Sequence, residues 1–395
     1  MKKAVAMALL MAVTLTACGS KQEATNSSVS SAESAQESVV SSTEETSEDE
    51  TASKQSSEAE ESSVAEENNT TEESSESASE GNAEESTENQ TVYPVTLTDQ
   101  AGREIVITEE PKKLVSGYYI STSLLIALDL DDKLVGIEAK ADKRPIYKLS
   151  AKDLIDLPNV GSAKEFDLEG CAALEPDLVI LPAKLKDAAA SLEELGITVM
   201  LVKPETQNQL IEMAELIAKA TNTQSNKDKL VDFINGHTEM LQDKLKDVSA
   251  SKVYLAGNSG ILETAGSGMY QNDMITLSGG INVAAEIEDS YWVETSYEQI
   301  LAWNPEYIII AAEAGYSVED VLQDENLQEC TAVKEGKVYQ IPADAEAWDS
   351  PVPSGVLGSV WLSNILHSDV ISASECDEII EEFYETFYQF KYSEK

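Results

Sequence analysis

A helix–strand unit occurs twice in this chain, and the duplication restricts the folds open to it. Leu168–Leu181 (LEGCAALEPDLVIL) and Tyr297–Ile310 (YEQILAWNPEYIII) align without a gap. Each has a glutamate at its second position, an amphipathic stretch, a proline followed by an acidic residue, and a final apolar run. Because proline stops a helix, the run that follows it is predicted to be a strand. Duplication of such a unit predicts two similar lobes.

Apolar runs of strand length alternate with helical spacing along residues 92–395. The runs are Lys113–Gly117, Leu134–Ile137, Leu178–Leu181, Thr198–Val202, Val253–Ala256, Tyr307–Ala312 and Val338–Ile341. A hairpin is predicted before them, over Val92–Ile107, with turn residues at Asp99–Gly102. Strands that alternate with helices form parallel sheets covered by helices. The predicted fold class is therefore α/β, with a parallel-sheet core in each of two lobes.

One segment is longer than an ordinary crossover helix. Within residues 222–248, apolar side chains from Leu230 to Leu245 recur at spacings of three and four on one face. About 25 helical residues span roughly 37 Å, the width of a small lobe. We therefore predict a long backbone helix over 222–248 that joins lobes at 92–221 and 249–395. A surface helix within one domain is the alternative.

The N-terminus has the features of an export signal. Lys2 and Lys3 precede the apolar run Ala4–Val13, which is shorter than the ~20 residues of a membrane-spanning helix. The next residues, Leu15–Cys18 (LTAC), resemble the bacterial lipobox. That resemblance implies a lipoprotein signal peptide over 1–18, lipidation of Cys18, and a protein anchored on the outer face of a bacterial cytoplasmic membrane. An ordinary secretory signal with a chance cysteine is the alternative.

Residues 19–91 have the composition of a disordered stalk. The stretch 20–91 carries 20 acidic residues, two lysines and no aromatic residue, so it cannot bury enough apolar surface to fold. Repulsion between like charges keeps such a chain extended. The formal net charge of the whole chain, −46, argues against nucleic acid as a partner and against docking on anionic lipid through a basic face.

Further segments form a recognisable series with the two repeat units. In chain order they are Val95–Arg103, Pro111–Val115, Leu128–Gly136, Gly279–Val283, Ala332–Tyr339 and Trp361–His367. Together they resemble, across nearly all of 92–395, the substrate-binding proteins of ABC importers for iron–siderophores, haem and cobalamin (the helical-backbone metal receptors).

The resemblance implies two lobes with little closure, a ligand in the cleft between them, and partners in an ABC permease dimer and its ATPase subunits. It also implies that Glu169 and Glu298, one in each repeat unit, dock on arginines of the permease. The alternative is that both are carboxylates at helix starts without a partner.

The histidine count bears on the kind of ligand. Related receptors for zinc and manganese hold a bare cation with several histidines and a carboxylate, whereas this chain has His237 and His367 only. Both suit packing or capping positions, so we predict no protein-coordinated metal and no cofactor. A chelated metal needs aromatic walls, with donors or charges matched to the rim of the chelate.

Candidate ligand contacts in the N-terminal lobe follow its strands, where α/β clefts bind ligands, except for Lys164, which precedes the first repeat unit. They are Tyr118, Tyr119, Ser121, Arg144, Lys164 and Lys184. Arg144 belongs to a basic loop in an acidic domain, and we predict that it clamps ligand carboxylates. A solvated surface loop is the alternative.

Candidate contacts in the C-terminal lobe also come from loops. They are Ser259, Met269, Tyr270, Trp292, Trp348 and Asp349. We predict that Trp348 is a flat binding wall, and that Asp349 either contacts ligand or caps the next helix. Direct ligation of ferric haem by Tyr118, Tyr119 or Tyr270 is a further hypothesis.

Motifs of catalysis are missing from the sequence. The chain has neither a nucleophile elbow nor a phosphate loop, and neither histidine stands near a Ser or Cys motif, so no catalytic residue is expected. The sequence predicts a monomeric extracytoplasmic component of an ABC importer that captures an iron chelate, either a ferric siderophore or haem. A corrinoid ligand, or a surface receptor or adhesin without a transport role, are the alternatives.

Overall fold

A computed structural model describes residues 90–288 and 291–395. The predicted signal peptide with Cys18 and nearly all of the predicted stalk lie outside this part of the chain. Within it, every helix is too short or too polar to cross a bilayer.

Strands and helices alternate along the chain. The strands are β1 (Val95–Thr98), β2 (Glu104–Ile107), β3 (Leu114–Ser116), β4 (Leu134–Gly136), β5 (Leu178–Pro182), β6 (Val199–Val202), β7 (Ser251–Ala256), β8 (Glu263–Ala265), β9 (Gly280–Asn282), β10 (Trp292–Glu294), β11 (Tyr307–Ile310) and β12 (Val338–Gln340). The helices are α1 (Tyr119–Ala127), α2 (Pro145–Ser150), α3 (Leu168–Ala173), α4 (Lys186–Glu194), α5 (Gln207–Thr221), α6 (Gln224–Leu245), α7 (Tyr270–Leu277), α8 (Tyr297–Trp303), α9 (Val318–Leu322), α10 (Thr331–Lys334), α11 (Gly355–Leu366) and α12 (Ala373–Tyr388).

Two four-stranded parallel sheets form the cores of the two lobes. The N-terminal sheet has the order β4–β3–β5–β6, and the C-terminal sheet has the order β9–β7–β11–β12. In both, the strands follow the order second, first, third, fourth along the chain, and all neighbours are parallel. The repeat units become α3–β5 and α8–β11, which occupy equivalent places in the two lobes. The predicted α/β fold class with two parallel-sheet cores is confirmed.

The hairpin β1–β2 covers the free edge of β6. Asp99 in its turn is buried and accepts the backbone N–H of Leu201 at 3.0 Å, while Arg103 donates to the same carboxylate. Gln100 N–H donates to the Leu201 carbonyl at 3.1 Å. The hairpin thus satisfies backbone groups of an edge strand that would otherwise be unpaired.

Helices α6 and α12 carry the connection between the lobes. Helix α6 runs within the segment 222–248 and is separated from α5 by Asn222 and Thr223; the φ of 60° at Asn222 ends the preceding helix. Phe233 of α6 packs against Phe383 and Phe387 of α12, with ring centroids 5.4 and 5.6 Å apart. One hydrophobic cluster extends through both lobes, from Leu114 to Ile309 and on into α12. Continuous packing of this kind fixes how the lobes sit relative to one another.

Candidate functional site

Loops that follow the strands of both sheets meet between the lobes. Arg144, after β4, faces Glu313, after β11, with Nη1 and Oε1 3.4 Å apart. The hydroxyl of Ser123 in α1 donates to the carboxyl of Glu346, which follows β12. The carboxyl ends of the strands in both lobes therefore converge on one space, as expected for a binding cleft in α/β proteins.

A small cavity occupies this space, with a volume of about 60 Å³. The lining residues are Tyr119, Lys143, Arg144, Pro145, Ile146 and Tyr147 from the N-terminal lobe, and Glu313, Ala343, Ala345, Glu346, Ala347, Ser350 and Val352 from the C-terminal lobe. Pockets for drug-sized ligands have about 300–1,000 Å³. The cavity has room for one small group, and a macrocycle would require the lobes to separate.

Arg144 is a cation held in place by an aromatic ring. It is the residue before Pro145, which begins α2, and its guanidinium carbon lies 4.2 Å from the ring centroid of Tyr119. Tyr118 packs edge-to-face on Tyr119 at 5.4 Å. Stacking on an aromatic face orients a guanidinium without using its N–H donors, which leaves those donors for an anion in the cleft.

Glu346 joins the lobes from beneath the cavity. One of its oxygens accepts from Ser123 of α1, and the other accepts from Ser354 Oγ at 2.5 Å. The Ser123 hydroxyl also lies 2.8 Å from the hydroxyl of Tyr388 in α12. Burial raises the pKa of Glu346, because a carboxylate out of water loses its hydration.

Glu138 is a second buried carboxyl group, two residues beyond the end of β4. It accepts from Thr122 Oγ1 at 2.6 Å and from the Tyr147 hydroxyl at 2.7 Å. Burial raises the pKa of Glu138, although these hydrogen bonds and the charge of Arg144 act in the opposite direction. Both glutamates therefore direct their acceptor oxygens to hydroxyl donors inside the protein.

Asp349 is the third buried carboxyl group near the cleft. It is 4% exposed, and its Oδ2 accepts the backbone N–H of Ala312 at 3.2 Å. Burial raises the pKa of Asp349 to about 6. The group is therefore mostly charged at pH 7 and mostly neutral at pH 5, and it does not cap α11, which begins at Gly355.

Two of the predicted contacts, Tyr119 and Arg144, line the cavity, and Tyr118 packs beside them. Tyr270 is buried and donates to Gln207 Oε1 at 3.1 Å, a contact between the lobes away from the cavity. Burial raises the pKa of Tyr119 to about 12 and raises the pKa of Tyr118 and Tyr270 as well. Iron ligation needs a phenolate, so these environments oppose the hypothesis of a tyrosine ligand.

Two predicted contacts are core residues instead. Trp348 is 1% exposed; its Nε1–H donates to the Tyr384 hydroxyl at 2.8 Å, and its ring packs on Tyr392. The prediction of a flat binding wall is wrong here, because the indole is buried against α12. Ser121 is buried, and its hydroxyl donates to the Tyr118 carbonyl at 2.8 Å, so it does not face the cleft.

The other predicted contacts do not line the cavity. Lys164 and Ser259 are exposed on loops, Lys184 is exposed in a short 3-10 helix, and Met269 and Trp292 are half-buried. Met269 is the residue before α7. The Trp292 ring covers Gly257 at the end of β7, where an added Cβ would lie 2.9 Å from it.

Sequence reasoning missed the acidic residues of the cleft. Glu138 and Glu313 follow β4 and β11 within three residues, so the rule that selected Arg144 would also have selected them. Glu346 carries no comparable signal, since its position depends on how the loop after β12 folds against α1.

Glu169 and Glu298 occupy matching positions on the two lobes. Each is the second residue of its helix, α3 or α8, and each is exposed. The preceding caps are also equivalent: Asp167 accepts from Gly170 N–H, and Ser296 accepts from Gln299 N–H. A hydrogen bond from backbone N–H lowers the pKa of Glu298, as expected at a helix N-terminus.

The histidines take part in packing. His237 Nδ1 lies 2.9 Å from the Phe233 carbonyl, and His367 Nε2 lies 3.1 Å from the Gly279 carbonyl. Across residues 90–288 and 291–395, no three histidine, cysteine or acidic side chains are placed to hold a metal ion.

A sequence profile for periplasmic binding proteins matches residues 114–345, more than half of the chain, and covers both sheets. The chain belongs to the periplasmic binding protein family.

Three relatives place this periplasmic binding protein among transport components. It is 26% identical over 323 residues to the molybdate-binding protein MolA of Haemophilus influenzae. The aligned region covers 75% of this chain and 91% of MolA. The solved structure of MolA bound to molybdate gives a TM-score of 0.65 over 75% of this chain and 99% of that chain.

The other two relatives are from Bacillus subtilis. YvrC, an uncharacterised ABC transporter substrate-binding lipoprotein, is 27% identical over 69% of this chain and 85% of its own. The Fe(3+)-citrate-binding protein YfmC is 28% identical over 62% of this chain and 79% of its own. This periplasmic binding protein is thus an extracytoplasmic solute-binding component of an ABC transporter and not an enzyme. Such components work with a permease and an ATPase.

The burial of Asp349 predicts a pH-dependent stability effect of Asp349→Asn. The pKa of Asp349 in the folded protein is about 6, above the ordinary 3.8. Between these pH values the folded state binds a proton that the unfolded state has lost. The protein therefore loses stability as pH rises from 4 to 6. The full loss is about 3 kcal/mol. Asparagine does not titrate. The free energy of unfolding of D349N should therefore equal that of the wild type at pH 4 and be higher than that of the wild type at pH 8.

Urea unfolding at intervals between pH 4 and 8 measures this difference. D243N, at an exposed aspartate, is the matched control and should show no such gain. A difference between D349N and the wild type that stays constant across this range contradicts the assignment.

Proposed function

We propose that this binding protein captures a metal-bearing anion at Arg144 and delivers it to a membrane permease. The class comprises small metal oxyanions and compact anionic chelates of iron, which share oxygen atoms that a guanidinium binds. The observation that carries the proposal is Arg144 itself, a half-exposed cation stacked on Tyr119 at the meeting point of the lobes.

The direction of the polar groups supports an anion. Arg144 and Lys143 line the cavity as donors, whereas the oxygens of Glu346 are occupied by serine hydroxyls. Glu138 is likewise saturated by Thr122 and Tyr147. The remaining carboxylate of the cavity, Glu313, is paired with Arg144, and charge-assisted bonds from arginine to oxyanions are among the strongest polar contacts.

The size of the cavity favours a compact ligand over a macrocycle. A space of about 60 Å³ is far below the range of pockets that enclose drug-sized molecules. The iron chelate predicted from the sequence is accordingly narrowed to a small carboxylate complex, while haem and corrinoids become less favoured. The names of MolA and YfmC, for molybdate and ferric citrate, fit this class of solute.

Isothermal titration calorimetry with a ligand panel tests the proposal. The panel is molybdate, tungstate, ferric citrate, haemin and cyanocobalamin. We expect saturable binding either of an oxyanion or of ferric citrate. Which of the two binds distinguishes a metal oxyanion from an iron chelate as the ligand. We also expect R144Q to weaken this binding by about 10- to 100-fold, the effect of losing a hydrogen bond to a charged group.

The control variant is K148Q, which removes one positive charge from α2, the helix that begins directly after Arg144, at a residue that does not line the cavity. Equal weakening by K148Q and R144Q would show a general effect of charge and contradict a contact at Arg144. Binding of haemin or cyanocobalamin alone would contradict the proposed ligand class.

We propose that Glu169 and Glu298 dock the two lobes on a permease dimer, with the protein acting as a monomer. Their equivalent exposed positions support this, because a pair of similar lobes suits a pair of similar subunits. Charge reversal in E169R/E298R should abolish ligand uptake by cells and leave ligand affinity unchanged. The control E194R/E325R reverses two other exposed glutamates and should retain uptake.

Loss of affinity in E169R/E298R would contradict docking and indicate a role in the cleft. Ligand binding without uptake by wild-type cells would favour the receptor alternative.

We propose that Cys18 anchors the protein in the outer face of the cytoplasmic membrane. The LTAC sequence and the lipoprotein name of YvrC support this anchor. Metabolic labelling with radioactive palmitate should mark the wild type and not C18S. Equal labelling of both would contradict lipidation at Cys18.

A further inference from the structure

Glu313 reaches Arg144 from the opposite lobe. The backbone N–H of the preceding Ala312 donates to buried Asp349 at 3.2 Å. The side chain of Glu313 is 61% exposed, and Arg144 is 32% exposed, so the pair lies at the mouth of the cleft. A negative group from one lobe therefore stands beside the cation that the other lobe presents.

The ion pair is loose. The distance of 3.4 Å between Arg144 Nη1 and Glu313 Oε1 exceeds the 2.7–2.9 Å of a strong charge-assisted hydrogen bond. Exposed pairs of this kind contribute little to stability and exchange readily with solvent and ions. By contrast, the stacking of Arg144 on Tyr119 does not involve Glu313, so movement of Glu313 away from Arg144 does not break it.

We propose that Glu313 is an internal competitor for the ligand, a carboxylate that occupies the anion position of Arg144 until the ligand displaces it. This inference rests on the proposed function, since it concerns the same site. Displacement breaks the ion pair between the lobes at the cleft mouth and leaves the Glu346 connection beneath it in place.

Competition has a definite signature. Because Glu313 must leave before any anion binds, it lowers the affinity for every anion by the same factor, whatever the charge of that anion. If Glu313 instead stayed beside the bound ligand, its repulsion would scale with ligand charge. Removing the Glu313 charge would then raise the affinity for a monoanion by some factor and the affinity for a dianion by about the square of that factor.

Tungstate and perrhenate separate these cases, because both are tetrahedral oxyanions of similar size with charges of −2 and −1. Calorimetry on the purified protein would compare the wild type, E313Q and the control E325Q, an exposed glutamate of the same lobe. Perrhenate would be measured by displacement of tungstate where its own heat is small. We expect E313Q to tighten both ligands by the same factor, about two- to five-fold, the range of an exposed ion pair.

The inference is overturned if E313Q leaves both affinities unchanged, if tungstate gains by the square of the perrhenate factor, or if E325Q gains as much as E313Q. It is also overturned if tungstate does not bind the wild type. In that case ferric citrate binding that is lost in R144Q would still sustain the proposed function, so the two claims fail separately.

Discussion

One buried carboxyl group, that of Glu346, bridges the two lobes at the cleft, in addition to the packing of α6 and α12. It accepts hydroxyl groups from both lobes and, through Ser123, is linked to Tyr388 of α12. A buried carboxyl is costly to remove from water unless its oxygens are satisfied, and here each oxygen has a donor. The same connection lies beside the cavity that Arg144 lines, so it links the lobes close to the candidate site.

In the cleft, two acids are turned inward, and Arg144 is presented outward beside Glu313 of the opposite lobe. Glu138 and Glu346 use their oxygens inside the protein, whereas Arg144 keeps its donors at the surface because Tyr119 orients it through its ring face. Duplicated lobes make this arrangement possible: the carboxyl ends of two parallel sheets face each other, and each contributes loops to one site. A solute held there would touch both lobes at once, and both lobes also display an exposed glutamate at equivalent positions.

Much of the fold was predictable because its signals are local. Strands β5 and β11 could be located because each follows a proline at the end of an amphipathic stretch and forms an apolar run. Buried parallel strands are nearly continuous in apolar residues. Strands β8, β9 and β10 were missed because a polar or charged residue interrupts the apolar character of each. Within the site, Tyr119 and Arg144 follow strands and were found. Trp348 was misplaced because a tryptophan beside proline suits either a surface wall or a core, and only the packing of α12 decides between them.

The central claim is that a metal-bearing anion binds at the guanidinium of Arg144. A crystal structure of the protein with tungstate tests it most directly, since tungsten gives a strong anomalous signal. We predict an anomalous peak between the lobes, with tungstate oxygens within hydrogen-bond distance of Arg144 and Glu313 turned away. A peak elsewhere, with the pair of Arg144 and Glu313 intact, would contradict the account.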